Sequence, residues 1–212
     1  MKKFELTSEF VTFLGKKLFR IKALVSFGDV KEGELGGLVE KEENLDQSGN
    51  AWVYGDAQVS GNAWVYGDAR VSGDAQVSGD AQVSGNAWVS GNARVSGNAR
   101  VSGDAWVYGD AQVSGDAWVY GNAWVYGNAR VSGDAQVQNC RDYSATSCFG
   151  SENRTTTFFR TKDGGISVRC GCFYGTLNEF REKVKERHGD SRLAKEYLML
   201  ADLMEFRLSK DE

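Results

Sequence analysis

A strict repeat of six residues fills the middle of the chain and limits the folds that it can adopt. From residue 49 to residue 138 every sixth position is Gly, and the run begins GNAWVY GDAQVS GNAWVY GDARVS. Fifteen such hexads follow one another over 90 residues without an insertion or deletion. This regularity divides the chain into an N-terminal segment, 1–48, the repeats, 49–138, and a C-terminal segment, 139–212.

Each hexad has the chemistry of a short strand followed by a corner. Ala and Val lie two residues apart, so an extended chain directs both to one face and the variable residue between them to the other. Gly next to Asn or Asp is typical of turns, because these residues adopt positive φ at little cost. A helix is excluded, since Gly costs about 1 kcal/mol relative to Ala at each position. The hexads therefore predict a coiled chain with Ala and Val inside and strands paired in parallel between coils.

The hexads resemble those of the hexapeptide-repeat proteins, which fold as a left-handed parallel β-helix with three hexads per coil. The resemblance covers 49–138 and implies five complete coils from the fifteen hexads. We therefore expect a mainly β fold. It consists of a left-handed parallel β-helix solenoid, an N-terminal β cap, and a small C-terminal domain with a β-hairpin and two helices.

Three hexads per coil sort the variable positions into three columns. The first column is Trp52, Arg70, Trp88, Trp106 and Trp124. The second is Gln58, Gln76, Arg94, Gln112 and Arg130. The third is Trp64, Gln82, Arg100, Trp118 and Gln136. All six Trp residues fall on the first and third columns, so two faces are predicted to be aromatic-rich and one to be polar.

Large exposed aromatic side chains are typical of interfaces and ligand platforms. We therefore predict that binding occurs at the two aromatic-rich faces. The predicted binding residues are Trp52, Arg70, Trp88, Trp106, Trp124, Tyr108, Tyr126, Trp64 and Trp118. The alternative is that stacked Trp rows only stabilise neighbouring coils, as cross-strand aromatic pairs do.

The N-terminal segment has the pattern of a cap for the open end of a solenoid. Residues 10–14 and 18–24 alternate as two strands, with Gly15, Lys16 and Lys17 as the turn between them. An irregular opening coil is then predicted from four apolar residues, Leu35, Leu38, Val39 and Leu45.

The C-terminal segment predicts a hairpin and two helices. The hairpin pairs 155–161 with 166–172 around a turn at 162–165. Thr176 and Glu179 form a capping box for a helix that runs to about Arg187 and ends at Gly189. Ser191 or Asp190 caps a second helix to about Leu208. Its predicted buried stripe is Leu193, Tyr197, Leu200, Ala201 and Met204.

The segments on either side of the repeats carry a second resemblance. KKLFRIKAL and GELGGLVEKEENL before the hexads, and FFRTKDGGISVRCGCFYGTLNEFREKV after them, are similar to segments of a group of phage and prophage proteins. The resemblance brings no established activity with it. It implies a phage-derived protein in the cytoplasm of an infected bacterial cell.

An acyltransferase is the enzyme class that the hexads raise first. Enzymes of this family use a His as general base close to the coils, often with an inserted loop. This chain has a single His, His188, beyond the repeats, and 49–138 contains no insertion that would build a pocket. We therefore predict a protein that is not an enzyme, has no catalytic residue and needs no cofactor.

The four cysteines allow a metal site as an alternative. Cys170 and Cys172 share one face of a predicted strand, and with Cys140 and Cys148 they would make a Cys₄ zinc site. The spacings C-x₇-C and C-x-C differ from the usual C-x₂₋₄-C knuckle. We therefore favour structural thiols and predict no metal.

The charge balance bears on the partners. Lys and Arg number 25 and Asp and Glu number 29, and the resulting net charge of −4 argues against nucleic acid or an anionic membrane as a partner. The sequence predicts a non-catalytic interaction scaffold that forms a dimer or trimer, binds a host macromolecule, or does both, through its aromatic faces. The alternative is an inhibitor or ligand-binding protein that acts on a host pathway through its C-terminal domain.

Overall fold

The N-terminal part of the molecule is a hairpin joined to the first turn of a solenoid. The structure is a computed structural model that describes residues 2–209; the predicted terminal segments extend beyond them to Met1 and Glu212. Strand β1 (Phe4–Phe13) pairs antiparallel with β2 (Lys16–Ala23), and β2 pairs antiparallel with β3 (Leu35–Val39). A short 3₁₀ helix, Glu42–Asn44, follows.

The turn of this hairpin is tighter than the sequence predicts. Leu14 and Gly15 both adopt positive φ, at 48° and 78°, and form the turn alone, so Lys16 and Lys17 belong to β2. The predicted opening coil is confirmed. β3 pairs in parallel with the second repeat strand through Leu38 and Val39, and Leu45 bridges to Val65.

The repeats form fifteen strands of two residues each, one per hexad. In chain order β4 to β18 are Trp52–Val53, Gln58–Val59, Trp64–Val65, Arg70–Val71, Gln76–Val77, Gln82–Val83, Trp88–Val89, Arg94–Val95, Arg100–Val101, Trp106–Val107, Gln112–Val113, Trp118–Val119, Trp124–Val125, Arg130–Val131 and Gln136–Val137. Every third strand joins one sheet, which gives the orders β4-β7-β10-β13-β16, β5-β8-β11-β14-β17 and β6-β9-β12-β15-β18.

The register confirms 18 residues per coil. Val53 pairs with Val71, and the same interior row continues through Val89 and Val107 to Val125. All of the Ala and Val side chains of the hexads are buried and form one continuous core. With the opening coil, the solenoid has about six turns. Its handedness stays a prediction.

The corners between strands depend on the repeat glycines. Gly49 through Gly133 adopt φ between 59° and 72°, the region that side chains disfavour. Next to them, Asn side chains donate to the Asp one coil further along, as Asn86 Nδ2 does to Asp104 Oδ1 at 2.8 Å. The same bond recurs at Asn50, Asn62, Asn92 and Asn98. Alternating amide and carboxylate thereby replaces like-charge repulsion with a hydrogen bond at these corners.

The C-terminal domain is a four-stranded antiparallel sheet covered by two helices. Its strands are β19 (Tyr143–Phe149), β20 (Arg154–Arg160), β21 (Ile166–Cys170) and β22 (Phe173–Thr176). Helix α1 is Leu177–His188 and α2 is Arg192–Leu208. The predicted capping box of Thr176 and Glu179 is present, and Ser191 rather than Asp190 caps α2.

Three details of this domain differ from the prediction. The strand predicted over 166–172 stops at Cys170, because Gly171 takes a φ of 58° and turns the chain into β22. Cys170 and Cys172 therefore lie on either side of a turn and share no strand. On α2, Ala194 is buried where Leu193 was expected, and Leu193 is half-buried. Strand β19, which the sequence analysis did not identify, pairs with β20.

This domain closes the last coil of the solenoid through backbone and ionic contacts. Ala135 bridges to Thr161, and the backbone N–H of Arg130 donates to Thr157 Oγ1 at 3.0 Å. The buried carboxylate of Asp142 accepts from the backbone N–H groups of Gln138 and Asn139 and lies 3.3 Å from Arg160. No helix within 2–209 is long and apolar enough to cross a membrane.

The corner glycines lead to a matched test of coil stacking. Gly103 and Gly127 both have positive φ, at 69° and 63°, so an Ala at either costs about 1–2 kcal/mol in backbone strain. A Cβ at Gly103 meets the backbone N and O of Gly121 at 3.0 and 3.1 Å, whereas a Cβ at Gly127 meets no atom within 4 Å. We expect Gly103→Ala to lower the thermal unfolding temperature clearly more than Gly127→Ala does. Equal losses would contradict backbone-to-backbone stacking at the corners.

Candidate functional site

The outer face of each repeat sheet carries one column of variable residues, as the sequence predicts. Trp52, Arg70, Trp88, Trp106 and Trp124 are paired neighbours across β4, β7, β10, β13 and β16. The second sheet presents its Gln and Arg residues. The third carries Trp64 and Trp118, which two polar residues separate. The three faces therefore differ only in what the variable and following positions supply.

The first face carries two neighbouring rows of aromatic rings, which together we call the aromatic ladder: Trp88, Trp106 and Trp124 in one row, and Tyr108 and Tyr126 in the other. The rings of Trp88 and Trp106 have centroids 5.1 Å apart, edge to face. Trp106 and Trp124 are stacked at 5.4 Å, as are Tyr108 and Tyr126. These distances follow from the spacing of adjacent strands, which places equivalent side chains one coil apart.

The ladder is open to solvent along most of its length. Trp106 is 39% exposed, Trp124 46% and Tyr126 52%, whereas Trp88 and Tyr108 are half-buried. The indole N–H of Trp88 donates to Ser72 Oγ of the preceding coil at 2.9 Å, which fixes this ring against the sheet. The ladder therefore begins at a ring that is held in place and continues into rings that are open to solvent.

Trp52, the first residue of this column, is not a surface residue, and its prediction as a binding residue is wrong. Its side chain is fully buried beneath the N-terminal segment, with ring centroids 6.2 Å from Phe4 and 5.3 Å from Phe27. Next to it, the exposed guanidinium of Arg70 pairs with Asp29 at 2.6 Å. The 24–34 loop that carries Phe27 and Asp29 thus closes the N-terminal end of the face.

The third face has no ladder. Trp64 and Trp118 are exposed, but Gln82 and Arg100 lie between them in the column. Each indole instead stacks on the Tyr of its own hexad, Trp64 on Tyr66 at 4.1 Å and Trp118 on Tyr120 at 4.4 Å. These two residues therefore form separate aromatic pairs rather than one apolar surface.

The ladder ends in a pocket of about 340 Å³ between the last coil and the C-terminal domain. Trp124 and Tyr126 form one wall, and Tyr143 and Arg207 line the other side. Burial raises the pKa of the Tyr143 hydroxyl, so it stays protonated at neutral pH. No sequence pattern indicates Tyr143 and Arg207, because only the docking of β19 and α2 on the solenoid brings them to the ladder.

Two other apolar surfaces are exposed. The outer face of α2 presents Met199, Leu203 and Phe206, at 71%, 56% and 84% exposure. Their spacing of four and three residues is that of one helix stripe, a signal present in the sequence but not used there. The hairpin β1–β2 adds Phe10 and Leu14 near its tip. Both surfaces lie on the terminal segments, and the hairpin tip with Leu14 faces Gln58 and Gln76 of the second repeat sheet across a pocket.

Of the residues considered for catalysis or metal binding, Cys170, Cys172 and His188 line one cleft of the C-terminal domain, and Cys140 and Cys148 lie outside it. His188, the last residue of α1, lies with its ring 5.7 Å from that of Tyr197, within the C-terminal domain. Cys170 is half-buried and accepts a hydrogen bond from Thr156 Oγ1 at 3.2 Å, whereas Cys140, Cys148 and Cys172 are exposed. Within 2–209 no three His, Cys, Asp or Glu residues are arranged to hold a metal ion.

Trp52 at one end of the first column is part of the core, whereas Trp124 at the other end lies on the surface, and their contributions to stability should differ accordingly. Trp52→Ala removes a fully buried indole and is expected to cost about 3–5 kcal/mol in the free energy of unfolding. Trp124→Ala removes a half-exposed ring with one stacked neighbour and is expected to cost about 1 kcal/mol or less. Urea unfolding followed by circular dichroism compares the two. Similar losses would contradict the burial of Trp52 as a capping residue.

Comparison with known proteins agrees with this architecture. The family model of the YdcK beta solenoid repeat matches the chain at 57–73, 63–79, 75–91, 81–95, 93–109, 111–127 and 123–139. No curated protein matches the chain. Matches of the repeat model fall on the hexads that form the three parallel sheets. The chain is thus a repeat β-helix protein whose coils are similar to the YdcK beta solenoid repeat.

Proposed function

We propose that the protein is a non-catalytic scaffold that pairs with a second copy of itself through the aromatic ladder. The observation that carries this proposal is the run of neighbouring, largely exposed aromatic rings on one face of the solenoid. The ladder exposes apolar surface on the order of several hundred Å², comparable with the largest patch on most soluble monomers. Burying such a surface stabilises an association.

Spacing favours a second copy over an unrelated partner. The rings of the ladder recur every 5.1 to 5.4 Å, a distance that the coil stacking imposes. Only a surface with the same repeat can place a side chain against every rung, and another copy of this chain has that repeat by construction. A two-fold axis through the middle rung sets Trp106 against its equivalent and Trp88 against Trp124.

A dimer follows from the use of one face. A two-fold contact joins identical patches and closes after two copies, whereas a trimer needs two different patches on each copy. A stable interface of standard size buries about 800 Å² per partner. The ladder supplies the apolar centre of such a patch, and the flanking polar side chains of the hexads supply its rim.

The non-catalytic part of the proposal is supported by the composition of this face. Its outward residues between the two caps are Trp, Tyr, Ser and Arg, and the single His of the chain lies in the C-terminal domain. The proposed setting is the cytoplasm of an infected bacterial cell. That setting is supported by the resemblance of the two terminal segments to those of phage and prophage proteins.

The proposal is tested by the mass of the protein in solution. We expect the wild-type protein to be a dimer by light scattering, and Trp106→Arg to weaken the dimer by about 30-fold or more while circular dichroism stays unchanged. The physical reason is that a buried interface Trp contributes about 2 kcal/mol or more.

A matched variant separates the ladder from the other exposed apolar face. Leu203→Glu places a charge in the middle of the outer stripe of α2, where the wild-type side chain is 56% exposed, and is expected to leave the dimer intact. Dissociation by Leu203→Glu but not by Trp106→Arg would contradict the proposal and assign the interface to α2. A monomeric wild-type protein would also overturn it and leave a host macromolecule as the partner of the ladder.

A further inference from the structure

The C-terminal domain contains a cleft that the proposed dimer does not use. Its volume is about 340 Å³, and its lining is mainly apolar. One wall is the β21–β22 turn with Cys170 and Cys172, and the other is the face of α1 from Phe180 to His188. This volume lies at the lower end of the range for small-molecule sites, about 300–1,000 Å³.

The floor of the cleft is aromatic. Phe180 has ring centroids 5.6 Å from Phe173 and 5.8 Å from Tyr197. The ring of His188 lies 5.7 Å from that of Tyr197 at an angle of 24°, which extends the aromatic surface to the end of α1. Phe180 and Tyr197 are buried in the domain core, so the floor is held in place. A flat or short apolar group fits against such a surface.

The rim of the cleft is cationic. Arg154, Lys183 and Arg187 line it, against one carboxylate, Glu152. Lys183 pairs with Glu186 at 2.7 Å, and Arg154 lies 3.9 Å from Glu152. Arg187 has no carboxylate within salt-bridge distance in the part of the chain that the structure describes. The chain as a whole has a net charge of −4, so this local excess of positive charge does not follow from composition.

The position of these cations is more specific than a helix end requires. Basic residues near the C-terminus of a helix interact favourably with its macrodipole whichever way they face. Lys185, in the same last turn, satisfies that requirement without lining the cleft. Lys183 and Arg187 instead lie four residues apart on the side of α1 that carries Phe180 and Val184. The charge is therefore placed beside the aromatic floor.

We propose that this cleft binds a small amphipathic carboxylate, with its aromatic or short acyl body against Phe173, Phe180 and Tyr197 and its carboxylate at Arg187 and Lys183. The guanidinium of Arg187 matches the geometry of a carboxylate and accepts it without first losing another partner. This binding is independent of the aromatic ladder and of the oligomeric state.

The test uses the full chain and naphthoate as the probe. We expect isothermal titration calorimetry to show one naphthoate per chain, and the neutral alcohol naphthylmethanol to bind at least tenfold more weakly. Arg187→Gln, an exposed substitution that leaves the core intact, is expected to weaken naphthoate binding by about tenfold. Lys185→Gln removes the same charge from the same helix turn outside the cleft and is expected to change the affinity by less than twofold.

A substitution on the aromatic ladder tests whether naphthoate binds there rather than in the cleft. Trp106→Arg is expected to leave naphthoate affinity unchanged. Absence of naphthoate binding at millimolar concentration, equal binding of the alcohol, or equal effects of Arg187→Gln and Lys185→Gln would overturn the proposal. Loss of binding in Trp106→Arg would overturn it as well, because the probe would then occupy the ladder.

Discussion

The stacking of each coil on the equivalent backbone of the next is the interaction on which the rest of the structure depends. At the corners the approach is so close that a Cβ on Gly85 would meet the backbone N of Gly103 at 2.9 Å. Along the strands, backbone N–H groups donate to carbonyl oxygens one coil further, as Trp88 does to Ala105 at 2.9 Å. At most corners the neighbouring backbone leaves no room for a Cβ, and the positive φ favours Gly at all of them. Small residues such as Ala and Val fill the interior, so the sequence varies mainly at the outward positions. Those positions recur at the same spacing, so a column that carries aromatic residues in successive coils, as the first one does, forms a ladder.

The same stacking leaves the first and last coils without a neighbour on one side, and the two terminal segments cover these open ends. An end coil exposes unpaired strand edges and an open core. At the N-terminal end, Trp52 is buried under Phe4 and Phe27, and the ammonium of Lys3 donates to the carbonyl oxygen of Ala51 at 2.9 Å. Burial of this ammonium under the cap lowers the pKa of Lys3 to about 8. Trp lies on the surface in the later coils of this column, whereas at the N-terminal end it is part of the core.

The regular part of the molecule is predictable from sequence, because each contact between coils joins two residues that are 18 positions apart in the chain. The three columns, the interior Val row and the glycine corners follow from that period alone, and the capping box of Thr176 follows from local hydrogen bonding. The burial of Trp52 is not predictable in this way, since it depends on the path of the 24–34 loop and on Phe4. The turn at Gly171 and the pairing of β19 likewise depend on the docking of the C-terminal domain. The cleft beside Arg187 is not predictable for the same reason, because its lining comes from the β19–β20 and β21–β22 turns and from both helices, which meet only in the folded domain.

The two kinds of binding proposed for this chain belong to different parts of it: pairing with a second copy to the regular solenoid, and binding of a small carboxylate to the C-terminal domain. A solenoid of uninterrupted hexads has flat faces, because no inserted loop rises from any corner between 49 and 138. Flat faces with a fixed repeat suit a partner with the same repeat, and a second copy of the chain is such a partner. Enclosing a small molecule requires a concave surface, and this chain builds its cleft of about 340 Å³ where the β21–β22 turn, α1 and α2 leave the repeat geometry. Substitutions on the aromatic ladder and in the cleft therefore act on different contacts, so a ladder substitution should leave anion affinity unchanged and a cleft substitution should leave the dimer intact.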